Sequence, residues 1–308
     1  MERTVHASEK GMRLERFLRI HFPRLPSAAV LTKQGRLTVD GRRVRIADPL
    51  AAGQIVRIAE PAAKPAPLSG PAAAGGPSEA DRARLAAMTL HADDDILVLD
   101  KPTGLAVHAG SRTDDDLDRL LARFTDAEGH RPVLVHRLDK ETSGLIVAAR
   151  HPLEAARLGK AFSGRSVSKT YLAVVEGVPE GGEGVIRLAL KKIETPRGGR
   201  MVQVDAAEPG AFACESRWRL LEVRDGGRAA LVELSPLTGR QHQLRAHMSA
   251  LGHPILGDRL YGRAGSAPRL MLHARRLEVI DAGGRRRAFE TAWPEAFGPR
   301  PAALVPSE

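Results

Sequence analysis

Asp139 stands in VHRLDKETSG, between Arg137 and Lys140, in a polar stretch that separates two apolar runs, VLV at 133–135 and LIVAA at 145–149. Positive charge nearby favours the ionised form of an aspartate and lowers its pKa. Such a carboxylate suits a permanent nucleophile or charge stabiliser better than a proton shuttle. The same residues could instead form a hydrogen-bonded loop in which Thr142, Ser143 and Gly144 turn the chain and Arg137 makes a structural ion pair. The local pattern leaves both open. Glu141 lies two residues on with Lys140 between, which makes a glycosidase pair of carboxylates less natural than one pinned nucleophile. His242 and His247 are five residues apart, so they do not share a helical face as an i,i+4 zinc pair would, and no Cys or Glu completes a tetrahedral set. Gly104, Gly144 and Gly239 form no GxGxxG fingerprint. Neither a metal nor a cofactor is expected.

The elements that must hold Asp139 are mainly strands. ILVLD, VLV, LIVAA, YLAVVEG, ALVELSPL, LMLHARRLEVI and RAFETAW are strand-like runs, interrupted by few helices, notably near 115–124 and 152–163. Strands outnumber helices and do not alternate with them regularly, which predicts an α+β fold rather than a doubly wound parallel sheet. Leu244, Met248 and Leu251 have helical spacing and can anchor a segment that leaves Arg245 on an adjoining face.

The front of the chain has another character. Leu14, Phe17 and Leu18 share a helical face, while Arg13, Arg16 and Arg19 point elsewhere, and Ser27 can cap a second short helix through Leu31. LTV, an Asp40-Gly41 turn and RRVRI, which begins with Arg42 and Arg43, read as a hairpin, with QIVRI as a further strand. Residues 61–77, PAAKPAPLSGPAAAGGP, offer nothing to anchor a core. They divide the chain into a module at 1–60, a linker at 61–80 and a larger domain at 81–308. As a flexible coil the linker spans roughly 20–25 Å.

The 308 residues carry a formal net charge of +10, and residues 1–60 hold 12 basic against 6 acidic side chains. Concentrated basic charge points to a polyanion such as RNA. Arg13, Arg16, Arg42 and Arg43 are the candidate phosphate contacts, which give affinity and position but little sequence information. The lone cysteine, Cys214, excludes an internal disulfide and any multi-thiolate zinc site, and fits a reducing cytoplasm. The first residues lack an apolar signal region, and no window reaches membrane-spanning length. We expect a cytoplasmic monomer with RNA, and no membrane, as partner.

HRLDKETSG at 136–144 resembles the signature of the RluA-type pseudouridine synthases, which isomerise uridine in RNA. ILVLDKPTGLAVHAG at 96–110, SKTYLAVVEG at 168–177, SPLTGRQHQLRAHMSALGHPILGDRLYG at 235–262 and RLMLHARRLEV at 269–279 resemble further family segments in the same order. The resemblance implies a mixed, mainly antiparallel sheet whose cleft holds a flipped nucleotide, with Asp139 attacking either C6 of uracil or C1′ of the sugar. It implies that Arg245 pairs with this carboxylate through a guanidinium fork that Lys could not replace. Tyr171 would stack on uracil and help remove the C5 proton, and Arg137 would fill the space the flipped base leaves. His108, His253 and His273 would be structural. Asp100 stands where many members carry Asn.

The front piece, through RLERFLR, GRLTVDGRRV and DPLAAGQIVRI, resembles the RNA-binding module of ribosomal protein S-four. That module, AVHAG at 106–110 and LVHRLD at 134–139 are most similar to the RluC-type branch, which acts on large-subunit ribosomal RNA. The RluD-type branch shares the module. A noncatalytic ribosome-assembly factor and an RNA glycosidase are the other classes, and intact Asp139, Tyr171 and Arg245 argue against the first.

Overall fold

The computed structural model describes residues 2–6, 9–21, 37–42, 48–58, 76–108, 115–126, 128–164, 166–195 and 198–301. The expected helix from Ser27 to Leu31, Arg43 with the rest of its strand, and most of the Pro/Ala/Gly run lie outside these residues. The chain divides into two compact units, residues 1–69 and 70–308.

In the front unit Leu14, Phe17 and Leu18 recur on one side of α1 (Leu14–His21), and all three are buried with Val39, Val56 and Ile58. Three short strands, β1 (Glu2–Thr4), β2 (Leu37–Val39) and β3 (Ile55–Ile58), form an antiparallel sheet in the order β1-β3-β2. Asp40 and Gly41 take the positive φ values, 51° and 76°, that a type I′ turn demands, and Val39 bridges to Arg42 beyond it. The described length of β2 pairs with β3, where Val39 opposes Val56.

The second unit is built on eleven strands. After α2 (Glu79–Met88), opened by a Ser78–Asp81 capping box, come β4 (Thr89–Ala92), β5 (Ile96–Lys101), α3 (Leu117–Leu121) and β6 (Val133–Leu134). Then follow β7 (Ser143–Ala149), α4 (Pro152–Ser163), β8 (Ser168–Glu176), β9 (Glu183–Thr195), β10 (Gly198–Val204) and β11 (Phe212–Arg224). The unit ends with β12 (Ala229–Pro236), α5 (Gln243–Ala250), β13 (Leu272–Ile280) and β14 (Arg286–Glu290). The strand order is β10-β9-β11-β12-β8-β13-β7-β5-β4, with β14 on β13 and β6 on β7. Among these pairings only β13 with β7 is parallel, so the sheet is mixed and mainly antiparallel, and the fold is α+β as the sequence predicts. All seven residues of β7 are buried, which is why LIVAA reads as an unbroken apolar run.

Three features depart from expectation. Strands β9 and β10 are additional to the expected runs, since exposed and half-buried residues run along much of β9, and β11 is much longer than the variable strand that the family resemblance implies at Ala213-Cys214. Helix α2 also lacks a strong apolar stripe, and only Met88 of it is buried. Leu244 and Met248 anchor α5 as expected, with Arg245 buried on the adjoining face, but Leu251 caps the helix and is 38% exposed. No helix among the described residues is long and apolar enough to cross a membrane.

Candidate active site

The loop bearing Asp139 enters from β6 and leaves into β7, and both ends are fixed. Upstream, His136 stacks on Phe162 with ring centroids 4.3 Å apart, and its Nε2 accepts the Val147 N–H at 2.9 Å. Burial, aided by the nearby Lys169 charge, pulls the His136 pKa down to about 3, so the ring stays neutral and keeps that acceptor. At the other end Gly144 has φ +107°, and a Cβ there would lie 2.3 Å from the Ala274 carbonyl oxygen. Only glycine lets β7 approach β13 so closely. The buried Leu138 ties the middle to the core.

The segment after β5 grips the loop from outside. Lys101 is fully buried, and its ammonium donates to the carbonyls of Pro102, Leu105 and Lys140 at 2.9, 2.9 and 3.1 Å. Burial lowers its pKa to about 8, with Glu141, Asp139 and Asp100 opposing the fall. The Gly104 N–H donates to the same Lys140 carbonyl at 2.9 Å, and the Thr103 hydroxyl to Glu141 O at 2.7 Å. Asp100 is half-buried, and desolvation raises its pKa against the pull of Arg275 and Arg269.

The cation that touches Asp139 is neither of its sequence neighbours. Arg137 and Lys140 are exposed. Arg245, 106 residues away on α5, donates from Nη1 to Asp139 Oδ2 at 3.2 Å. Its remaining donors are taken by Asp258: Nε reaches Oδ2 at 2.7 Å and Nη2 reaches Oδ1 at 2.8 Å, a bidentate pair. Asp258 has no exposed side-chain surface, and its Oδ1 also accepts the Leu260 and Tyr261 N–H groups. Burial opposes ionisation of Asp258, but the Arg245 hydrogen bonds and charge outweigh it and hold the carboxyl below its usual value. Burial also opposes charge on Arg245, and Asp258 with Asp139 more than offset that. Gly257 turns the chain into this acid with φ +76°, where a Cβ would lie 1.8 Å from Arg269 O.

Asp139 and Arg245 line a cavity of about 250 Å³, together with Arg137, Lys169, Tyr171, Pro236 and the run from Thr238 to His242. It is smaller than a drug-sized site and suits one base with its sugar. Burial, with the Asp139 charge second, raises the Tyr171 phenol well above its ordinary pKa, so the ring keeps its proton. That setting suits a stacking face. His242 sits in the left-handed region with φ 51°, and its Nε2 lies 3.8 Å from Asp139 Oδ2. The Tyr261 hydroxyl accepts the Met201 N–H at 2.7 Å and lies 3.2 Å from His242 Nδ1. A Tyr261 proton donated to Nδ1 leaves the proton of a neutral imidazole on Nε2, facing Asp139. Burial lowers the His242 pKa, with Asp139 opposing. Gln243 closes the loop by accepting from Thr238 and donating to Ser216 and Glu215 O.

The profile of the family described as RNA pseudouridylate synthase matches residues 95–250, a span that includes Asp139, Tyr171 and Arg245. The chain belongs to that family. The synthase is 39% identical over 216 residues to an uncharacterised RNA pseudouridine synthase of Zymomonas mobilis, covering 69% of this chain and 96% of that one. It is 33% identical over 294 residues to ribosomal large subunit pseudouridine synthase C of Escherichia coli, covering 91% and 88%. A solved structure, human RNA pseudouridylate synthase domain containing 4, superposes with a TM-score of 0.58 at 28% identity over 71% of this chain and 94% of that one. The synthase is thus an RNA pseudouridine synthase, an isomerase.

Of the predicted site residues, the structure brings Asp139, Tyr171, Arg245 and Arg137 to one cavity. Arg13, Arg16 and Arg42 are exposed on the front unit, and Arg43 lies outside the described residues. Four residues went unsingled: Asp258, His242 as a neighbour of Asp139, Tyr261 and Lys101. A weak signal existed for Asp258, an acid in PILGDRLYG whose flanking PILG and LY are apolar, although the adjacent Arg259 offers a local partner. Lys101 gives none, because a buried lysine and an exposed one look alike in sequence.

Proposed function

We propose that this synthase isomerises uridines of large-subunit ribosomal RNA, in the manner of the RluC-type branch, as a cytoplasmic monomer. The observation that carries the reading is the Escherichia coli match, which covers 91% of the chain and so extends beyond residues 70–308 into the front unit. In this reading the N1–C1′ bond of the flipped uridine breaks, the base rotates, and a C5–C1′ bond forms as the C5 proton leaves and N1 gains one. Atoms and electrons balance without an added reactant. Asp139 is the reacting carboxylate, Arg245 orients it, Tyr171 supplies a face for the uracil, and Arg137 at the exposed rim occupies the space the base vacates. Mapping pseudouridines in cells that lack the protein tests the substrate. Sites should disappear from large-subunit ribosomal RNA, and loss only from other RNA overturns it.

Residues 1–60 act as a separate RNA grip, joined through a linker at 61–80 to a catalytic domain at 81–308. Exposed Arg13, Arg16 and Arg42 and the local excess of basic charge support this. Removing residues 1–60 is expected to weaken binding to a ribosomal RNA fragment about tenfold at moderate salt and to flatten the salt dependence, because phosphate contacts act by counterion release. Residual modification at saturating RNA should persist. An unchanged affinity and salt slope in a filter-binding titration would remove the front unit from RNA recognition.

A further inference from the structure

We propose that Lys169 is the phosphate-binding cation of a second nucleotide subsite, which takes the nucleotide adjacent to the flipped uridine. A second cavity of about 450 Å³ adjoins the first, and Phe162, Lys169, Pro236, Thr238 and Gly239 line both. Lys169 and Tyr171 are two residues apart on β8, so their side chains leave the same face about 7 Å apart along the strand. Tyr171 faces the Asp139 cavity, and Lys169 stands on the wall between the two.

The charge around this wall is unbalanced. Of the acids lining the second cavity, Glu278 is held by Arg276 and Arg286, and Glu215 lies 3.2 Å from Arg187. The Lys169 ammonium makes no hydrogen bond or ion pair to another described residue, its backbone being in the ladder with β13. Burial alone lowers its pKa, with no carboxylate opposing it. A half-buried ammonium that no carboxylate holds is free to take an incoming anion from the cavity. The reaction supplies that anion, since a uridine within RNA carries a phosphodiester on either side. A phosphate on Lys169 directs the next nucleotide into the second cavity, beside Phe162 and Val167. The inference rests on the chain's being an RNA pseudouridine synthase and not on which RNA it modifies.

The test uses the full-length protein and an oligonucleotide around a uridine taken from whichever cellular RNA loses its pseudouridine in the deletion strain. An uncharged methylphosphonate replaces the phosphodiester on the 5′ or the 3′ side of the uridine. With the native protein, one of the two neutral linkages should lower kcat/KM by about tenfold or more, as expected for a lost charge-assisted hydrogen bond. Lys169→Met, which keeps most of the stem, should lose a similar factor on the native oligonucleotide and lose little more on that linkage. Lys169→Arg should retain most of the activity. If neither linkage affects the native protein, the subsite is overturned without recourse to any variant. Equal losses for native and Lys169→Met on the sensitive linkage would place the phosphate elsewhere and leave Lys169 to the uracil.

Discussion

Asp139→Asn is expected to abolish pseudouridine formation, lowering the single-turnover rate by at least about 10⁴-fold, the scale seen when a nucleophile is removed. RNA affinity should change less than about threefold, because no phosphate contact depends on this carboxylate. The substitution is clean for a structural reason. Arg245 keeps its bidentate hold on Asp258 when Asp139 loses charge, and an asparagine oxygen still accepts from Nη1. The loop is held besides by Lys101, Thr103 and His136, none of which uses the Asp139 side chain. Thermal stability should therefore stay close to native while turnover vanishes. Multiple-turnover isomerisation by a preparation shown by mass spectrometry to be free of deamidated protein would sink the assignment of Asp139 as the reacting group.

Asp258→Asn should be the most destabilising single change in the site. Asp258 is fully buried and meets Arg245 and two backbone N–H groups. Asparagine leaves the guanidinium as a buried cation with one poorly placed partner. Breaking one member of a buried pair costs about 3–5 kcal/mol, which in a domain of this size lowers the melting temperature by about 6–20 °C. Activity should fall as well, since Arg245 is no longer oriented toward Asp139. Arg245→Met should also destabilise, because Asp258 is then the stranded charge. Arg245→Met combined with Asp258→Asn removes both charges, so stability should return part of the way to native while activity does not. If the three variants show additive losses in denaturant unfolding, Arg245 and Asp258 are not one unit.

The pH dependence follows with a definite sign. The folded pKa of Asp258 lies below its unfolded value, so its stabilising contribution is present above the unfolded carboxyl pKa of about 3.9 and is lost as pH falls through the folded value. The acid limb of the stability curve should be shallower in the double variant.

Much of the molecule is legible in its residue order because strand and helix periods are local. LIVAA, YLAVVEG and LMLHARRLEV announce the buried strands β7, β8 and β13. Leu14, Phe17 and Leu18 announce the buried face of α1. Asp139 itself is conspicuous as a charged residue in a polar interruption between two apolar runs. Strand β9 is weakly marked because only Ile186 and Leu190 of it are buried, whereas β11 does alternate, with Cys214, Ser216 and Trp218 buried and Arg217 and Arg219 exposed.

The local residue pattern around Asp139 does not show its partner; the family resemblance points to Arg245, and the contact itself is made by the tertiary structure. Arg137 and Lys140 are near in sequence, yet both are exposed, Arg137 at the rim of the cavity, and the contact falls to Arg245 from a helix 106 residues away. That helix is aimed by Asp258, which itself stands on a glycine turn pressed against Arg269. The sequence therefore determined which carboxylate could react and which strands would carry it. Only the folded chain decided which cation orients that carboxylate, because an ion pair depends on distance in space, and sheet pairing brings together residues whose separation along the chain carries no trace of it.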